Sequence, residues 1–136
     1  MILLFRRFIA IALVTSSAVA VSAAPASAAG RKFEIKDSNS WSNLHGSISS
    51  SRTSATVSGT LVADSTRVTA WGCVSASISG CSLVANQKKL AEYDTRRQGL
   101  YAKDFTKTLS KTSGQSVYVR ACFTWTQGHG SCSGWK

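Results

Sequence analysis

Proline and acidic residues are scarce in this chain. Its 136 residues include one proline, Pro25, and only 6 Asp and Glu against 16 Lys and Arg, so the formal net charge is +10. The absence of proline after Pro25 excludes a Pro-rich linker and a cis-proline turn from the rest of the chain. The shortage of acids leaves a strong positive charge, which keeps a protein soluble and attracts polyanions.

A long hydrophobic run is also missing. The most apolar run, Phe8–Val14, follows Arg6 and Arg7 and is far shorter than the roughly 20 residues that a membrane-spanning helix needs. A basic start, a short apolar run and small residues after it are together typical of a secretion signal. The segment Ala26-Ser27-Ala28 fits the small-x-small rule of signal peptidase.

We therefore interpret residues 1–28 as a cleavable signal peptide and residues 29–136 as a single secreted domain. Cleavage after Ala28 is expected, with Ala23 and Ala29 as alternative positions. This interpretation predicts an extracellular protein with no transmembrane segment once the signal is removed.

Residue patterns typical of catalysis or metal binding are absent as well. The two histidines, His45 and His129, each lie beside a glycine in an expected turn, and no G-x-S-x-G motif is present. None of the six carboxylates is marked out by its context as half of a catalytic pair. We predict a protein that is not an enzyme, with no catalytic residue, no metal site and no cofactor.

Four cysteines remain, and all lie in the predicted domain. An even number in an exported chain indicates disulfides. We favour Cys73–Cys81 and Cys122–Cys132, because each pair closes a short loop. The alternative is a Cys73–Cys122 bridge between sheets, as in immunoglobulin domains. Residue alternation disfavours it, since Cys73 and Cys122 each lie on the face opposite the apolar residues of their strands. The seven- and nine-residue gaps also do not match zinc spacing.

Short alternating segments separated by turn residues recur about every ten residues. This rhythm predicts an all-β fold, a small antiparallel β-sandwich that is immunoglobulin-like or similar, with two local disulfides. The pattern predicts a strand over Cys81–Ala85, and Ala85–Leu109 is ambiguous between helix and strand, with threonines favouring strand. The predicted core comprises Val57, Leu61, Val68, Val119, Phe123 and Trp125.

Aromatic and basic residues supply the candidate binding site. An exposed tryptophan can stack on a sugar ring or a base, and clustered Lys and Arg attract polyanions. The candidates are Trp41, Trp71, Arg96, Arg97, Lys103 and Lys107. Two alternatives stay open: Trp71 and Trp135 cover the disulfides, and Lys103 and Lys107 protect an edge strand from sheet pairing.

The segment Val117–Trp135, V-Y-V-R-A-C-F-T-W-T-Q-G-H-G-S-C-S-G-W, resembles small secreted two-disulfide β-domain proteins of actinobacteria, which are mostly uncharacterised. The segment around Trp71-Gly72-Cys73 and Cys81 is similar too. The resemblance implies a compact β domain and export, and it implies no activity. Two inhibitor families do not fit: the proline-bearing loop of secreted subtilisin inhibitors and the Trp-Arg-Tyr triplet of small α-amylase inhibitors are both absent.

These observations predict a monomeric, non-enzymatic binding module for an anionic or carbohydrate extracellular surface. A polyanion or a cell-wall polysaccharide is the expected partner, and specific nucleic-acid recognition is not expected because no such module is present. The alternative function is a secreted inhibitor or antimicrobial effector.

Overall fold

Residue alternation produces eight strands in the computed structural model, which describes residues 30–136. The predicted signal peptide and its cleavage sites lie outside the described residues. The strands are β1 Arg31–Lys36, β2 Asn43–Ser50, β3 Ser54–Asp64, β4 Thr66–Ser75, β5 Gln87–Asp94, β6 Leu100–Ser110, β7 Ser116–Trp125 and β8 Gly130–Cys132. Two short 3-10 turns, Ile78–Ser82 and Val84–Asn86, join β4 to β5.

The strands form two antiparallel sheets. The first sheet has the order β1-β2-β3-β6 and the second has the order β5-β4-β7-β8. The predicted all-β sandwich is confirmed, and so is strand structure in the ambiguous segment, where β5 and β6 lie. The strand order differs from that of an immunoglobulin constant domain, in which the second strand pairs with the fifth. Here β2 pairs with β3.

The core lies between the sheets and contains the inward-facing residues of both. Five of the six predicted core residues are buried there: Val57, Leu61, Val68, Val119 and Phe123. Trp125 is half-buried and lies outside this cluster. Its position explains the difference, since Trp125 ends β7, where the indole N–H donates to Asp37 instead of entering the apolar interior.

The serine-rich segment after β1 forms a regular strand, β2, and hydroxyl groups line the outer face of the sheet to which it belongs. Hydroxyls pair across strands, with 3.1 Å between Thr56 and Thr108 and 3.3 Å between Ser58 and Thr106. Opposite them, Leu44 and Ile48 of β2 point into the core. Cross-strand pairs of this kind stabilise a sheet modestly.

Both favoured disulfides, Cys73–Cys81 and Cys122–Cys132, are present. Cys73 lies on the face of β4 opposite the core, as residue alternation predicts, yet it is fully buried. The reason is the segment after β4, which folds back so that Cys81 is buried as well. The strand predicted over Cys81–Ala85 is therefore wrong: this segment forms the two 3-10 turns.

Candidate functional site

Four connections meet at one end of the sandwich, which we call the loop end. Because neighbouring strands run antiparallel, residues 37–42, Ser65, residues 95–99 and residues 126–129 all lie there. Hydrogen bonds join three of them: Ser65 N–H donates to the Gly99 carbonyl at 2.9 Å, and Asp64 N–H donates to Ser42 Oγ at 2.9 Å. Loops held on such a scaffold commonly carry function.

Asp37 shapes the first of these loops. The Asp37 carboxylate is buried and accepts hydrogen bonds from Asn39 N–H at 3.2 Å, the Ser40 hydroxyl at 2.6 Å and Trp125 Nε1 at 2.9 Å. Asp commonly bonds its own backbone two residues on, and this bond tightens a turn. The turn places Trp41 at its tip, with 81% of the side chain exposed.

Trp41 stands beside a polar groove with a volume of about 470 Å³. Trp125 and Thr126 line the same groove, together with Ser65, Thr66, Asp64, Asn39 and Ser40. The groove therefore offers two indole rings next to hydroxyl, amide and carboxylate groups. Flat aromatic faces beside polar groups of both hydrogen-bonding types suit the alternating apolar and hydroxyl surfaces of a sugar ring.

A second pocket of about 390 Å³ adjoins the groove, since Thr126 lines both. Arg96 and Arg97 lie in it with Asp94 and Gln98. Arg96 is occupied: its Nη2 lies 2.7 Å from Asp94 Oδ2, and this side-chain hydrogen bond lowers the pKa of Asp94 below its usual value of 3.8. Arg97 is exposed and makes no ion pair among residues 30–136, so its charge is available to a ligand.

The structure brings together three of the six predicted binding residues, Trp41, Arg96 and Arg97. Trp71 lies on the outer face of the second sheet, half-buried and opposite Arg120 on β7 and Lys89 on β5.

Lys103 and Lys107 lie elsewhere again, on β6, which is the edge strand of the first sheet. They pair in register with the buried Leu61 and Val57, so they share the core-facing side of β6, although both are exposed. The ammonium of Lys103 lies 5.9 Å from the centre of the Tyr93 ring on β5. Inward-facing lysines on an edge strand favour the edge-protection alternative.

Two features of the surface are not predicted from the sequence. Arg120 stacks on Trp135, with 4.7 Å between the guanidinium carbon and the ring centre, which shows a packing partner for Trp135 other than a disulfide. Exposed aliphatic residues, Ile78, Leu83 and Val84, stand on the 3-10 segment. The strand predicted over Cys81–Ala85 gives no indication of these exposed aliphatic residues, because alternation in a strand would bury one of the neighbouring pair Leu83 and Val84.

Within residues 30–136, no group of three or more His, Cys, Asp and Glu side chains is arranged to hold a metal ion. No helix in the same part of the chain has the length and apolar character to span a membrane. Comparison with family models, with curated proteins and with solved structures found no match to this chain. The resemblance to the actinobacterial proteins thus stays a prediction.

Proposed function

We propose that this protein is an exported, non-enzymatic binding module that holds an anionic extracellular polysaccharide at its loop end. The observation that carries the proposal is the exposed Trp41 ring beside the groove, with Arg97, which makes no ion pair among residues 30–136, in the adjoining pocket. Two disulfides in a small domain support export, because such bonds persist in oxidising compartments.

The two parts of the loop end have different roles in this proposal. Trp41 stacks on the apolar face of one sugar ring, while Asn39, Ser40 and Asp64 exchange hydrogen bonds with its hydroxyl groups. Arg97 pairs with a carboxylate or sulfate on the next sugar along the chain, as a guanidinium does well. An open groove suits a polymer, since the chain can enter and leave at both sides.

Binding to polygalacturonate, compared with a neutral glucan, tests the proposal. Trp41→Ala is expected to raise the dissociation constant about tenfold or more, the effect of losing an aromatic stacking contact. Arg97→Gln is expected to raise the dissociation constant about fivefold and to abolish the preference for the acidic polymer. Isothermal titration calorimetry measures both effects.

Matched controls lie at the opposite end of the sandwich. Val84→Ala removes an exposed apolar side chain and Arg52→Gln removes an exposed charge, and neither is near the groove. Both variants are expected to bind polygalacturonate as the unaltered protein does. If Arg52→Gln weakens polygalacturonate binding as much as Arg97→Gln does, the polymer binds through the overall charge of the protein, and the loop-end site is refuted.

A further inference from the structure

The charges of this protein are divided sharply between its two ends. We call the end opposite the loop end the stapled end, because the Cys73–Cys81 disulfide holds its largest connection. Residues 51–53, 76–86 and 111–115 form it. We call the half of the sandwich next to this end the stapled half. Its boundary in the first sheet is the row of paired residues Lys32–Ser47–Ser58–Thr106, and its boundary in the second sheet is the row Lys89–Trp71–Arg120.

All acidic residues lie outside this half. Glu34 and Asp104 fall two rows beyond the boundary row of the first sheet. Glu92 falls beyond the boundary row of the second, and Asp37, Asp64 and Asp94 lie at the loop end. The stapled half carries nine basic residues and no acid: Arg31, Lys32, Arg52, Lys88, Lys89, Lys107, Lys111, Arg120 and Lys136. Six of the nine are exposed and make no ion pair within residues 30–136: Arg31, Lys32, Arg52, Lys88, Lys107 and Lys136.

Three exposed aliphatic side chains lie on the largest connection of this basic half. Ile78 is 50% exposed, Leu83 is 61% exposed and Val84 is 80% exposed, and all three lie on the 3-10 segment. Apolar side chains in neighbouring positions of one exposed connection mark an interaction surface more often than isolated ones do.

The aliphatic segment is held firmly in place. The Cys73–Cys81 disulfide anchors it from beneath, and both sulfur-bearing residues are fully buried. Asn86 Nδ2 donates to the Gly80 carbonyl at 2.9 Å, and Gln87 Nε2 donates to the Cys81 carbonyl at 2.8 Å. The Leu83 carbonyl accepts from Asn86 N–H at 3.0 Å, and the Val84 carbonyl accepts from Gln87 N–H. Leu83 and Val84 can therefore enter an apolar phase with their own carbonyls paired.

We propose that the stapled end docks on an anionic lipid bilayer, with Ile78, Leu83 and Val84 entering the headgroup region and the surrounding lysines and arginines contacting lipid phosphates. A basic surface with an apolar tip combines the two interactions that hold peripheral proteins on membranes, which are burial of apolar side chains and electrostatic attraction to anionic lipids. The charge alone would fit any polyanion. The aliphatic tip favours a bilayer, because a dissolved polyanion offers no apolar phase for it.

This surface is separate from the polysaccharide site, which lies at the other end. Docking by the stapled end leaves the loop end facing away from the membrane, so both ligands can be held together. Failure of one proposal therefore leaves the other standing.

Co-sedimentation of the purified protein with phosphatidylcholine vesicles, with and without phosphatidylglycerol, tests docking. The protein is expected to bind only the vesicles that contain phosphatidylglycerol, and to be released by salt. Leu83→Asp/Val84→Asp is expected to reduce partitioning at least a hundredfold. Arg52→Gln/Lys88→Gln keeps the aliphatic tip, and its partitioning onto the vesicles is expected to fall roughly fivefold for each charge removed.

Leu100→Asp/Tyr101→Asp is the matched control for charge, since it adds the same two acids at neighbouring residues that are 59% and 50% exposed and lie at the loop end. It is expected to lower partitioning about tenfold at most, because its added charges lie far from the docked surface. Equal loss by Leu83→Asp/Val84→Asp and Leu100→Asp/Tyr101→Asp would show that partitioning follows net charge and not the aliphatic tip, and would overturn membrane docking. Equal binding to uncharged vesicles would overturn it too.

Discussion

The indole N–H of Trp125 donates a hydrogen bond to the Asp37 carboxylate, with 2.9 Å between Nε1 and Oδ2. Trp125 ends β7 in the second sheet and Asp37 follows β1 in the first, so this bond ties the two sheets together at the loop end. The same carboxylate positions the turn that carries Trp41. One buried acid thus connects sandwich stability to the geometry of the candidate polysaccharide site.

Asp37→Ala is expected to lower the free energy of unfolding by about 2–3 kcal/mol. Three donors, one of them the part-buried indole N–H, would lose their acceptor, and an unsatisfied group that water cannot reach carries a desolvation cost of roughly 1–3 kcal/mol. Urea unfolding followed by circular dichroism measures the change. Trp125→Phe should cost less, about 1–2 kcal/mol, because two donors to Asp37 remain.

Trp41→Phe is the control for this pair. It makes the same chemical change at a side chain that is 81% exposed and donates no indole hydrogen bond among the described residues. Its unfolding midpoint should match that of the unaltered protein. An equal loss in Trp41→Phe and Trp125→Phe would contradict the role assigned to the Asp37 bond.

The two disulfides are expected to differ in their resistance to reductant. Cys73 and Cys81 are fully buried, whereas Cys132 is exposed. Thiol exchange needs access to a sulfur. In native buffer, dithiothreitol should therefore open Cys122–Cys132 first, and alkylation followed by peptide mass spectrometry identifies the reduced pair. Reduction of Cys73–Cys81 at the same rate would mean that the 3-10 segment opens freely.

That segment also shows where sequence patterns stop being informative. Alternation predicts a strand over Cys81–Ala85, but the Cys73–Cys81 bond forces the chain back over β4 within eight residues. Gly80 then packs directly against Ser75, where a Cβ would clash with the Ser75 hydroxyl. The favoured pairing already required a tight return, and in the folded protein this return takes the form of two 3-10 turns.

Alternation predicts well where one face of a strand is buried. It places Val57, Leu61, Val119 and Phe123 in the core, and it places Cys122 on the opposite face of β7. It says nothing about which loops meet, because that depends on strand order. Trp41 and Arg97 come together only because β3 pairs with both β2 and β6, which aligns their connections at one end.

Gly46 is expected to tolerate no side chain. It lies opposite Gly59 in the paired strands β2 and β3, and a Cβ there would overlap the Ser58 carbonyl, a backbone atom that cannot turn aside. Gly46→Ala should therefore cost about 2–3 kcal/mol, in the upper range of overpacking. Gly134→Ala is the control, since nothing lies within 4 Å of its added methyl group. Thermal unfolding of both variants checks the contrast.

The ion pair between Asp94 and Arg96 predicts a small pH dependence of stability. The Arg96 hydrogen bond lowers the pKa of Asp94 in the folded protein, so the folded state binds fewer protons than the unfolded state. This contribution is complete above the usual value of 3.8 and is lost as pH falls through the lower folded pKa. Arg96→Ala should raise the Asp94 pKa toward 3.8, as followed by NMR of its carboxyl carbon. An unchanged pKa would refute the assigned cause.

Lys103 and Lys107 are expected to protect the edge strand β6 from pairing with a strand of another molecule. Both lie on the core-facing side of the edge strand β6, beside the buried Leu61 and Val57, and both are exposed. A charge at such a position discourages a second molecule from adding its own strand. Lys103→Thr/Lys107→Thr keeps strand propensity and removes both charges, so it should aggregate at concentrations where the unaltered protein does not.

Arg52→Thr/Lys111→Thr separates this effect from net charge, since it removes the same charge and both residues lie in connections, outside the edge strands. Light scattering over time should remain flat for that variant and rise for Lys103→Thr/Lys107→Thr. Equal aggregation of the two variants would mean that solubility depends on total charge and not on the edge. Polygalacturonate binding unchanged in Lys103→Thr/Lys107→Thr would further separate these lysines from the loop-end site, because a strand-protecting charge makes no contact with a ligand held by Trp41 and Arg97.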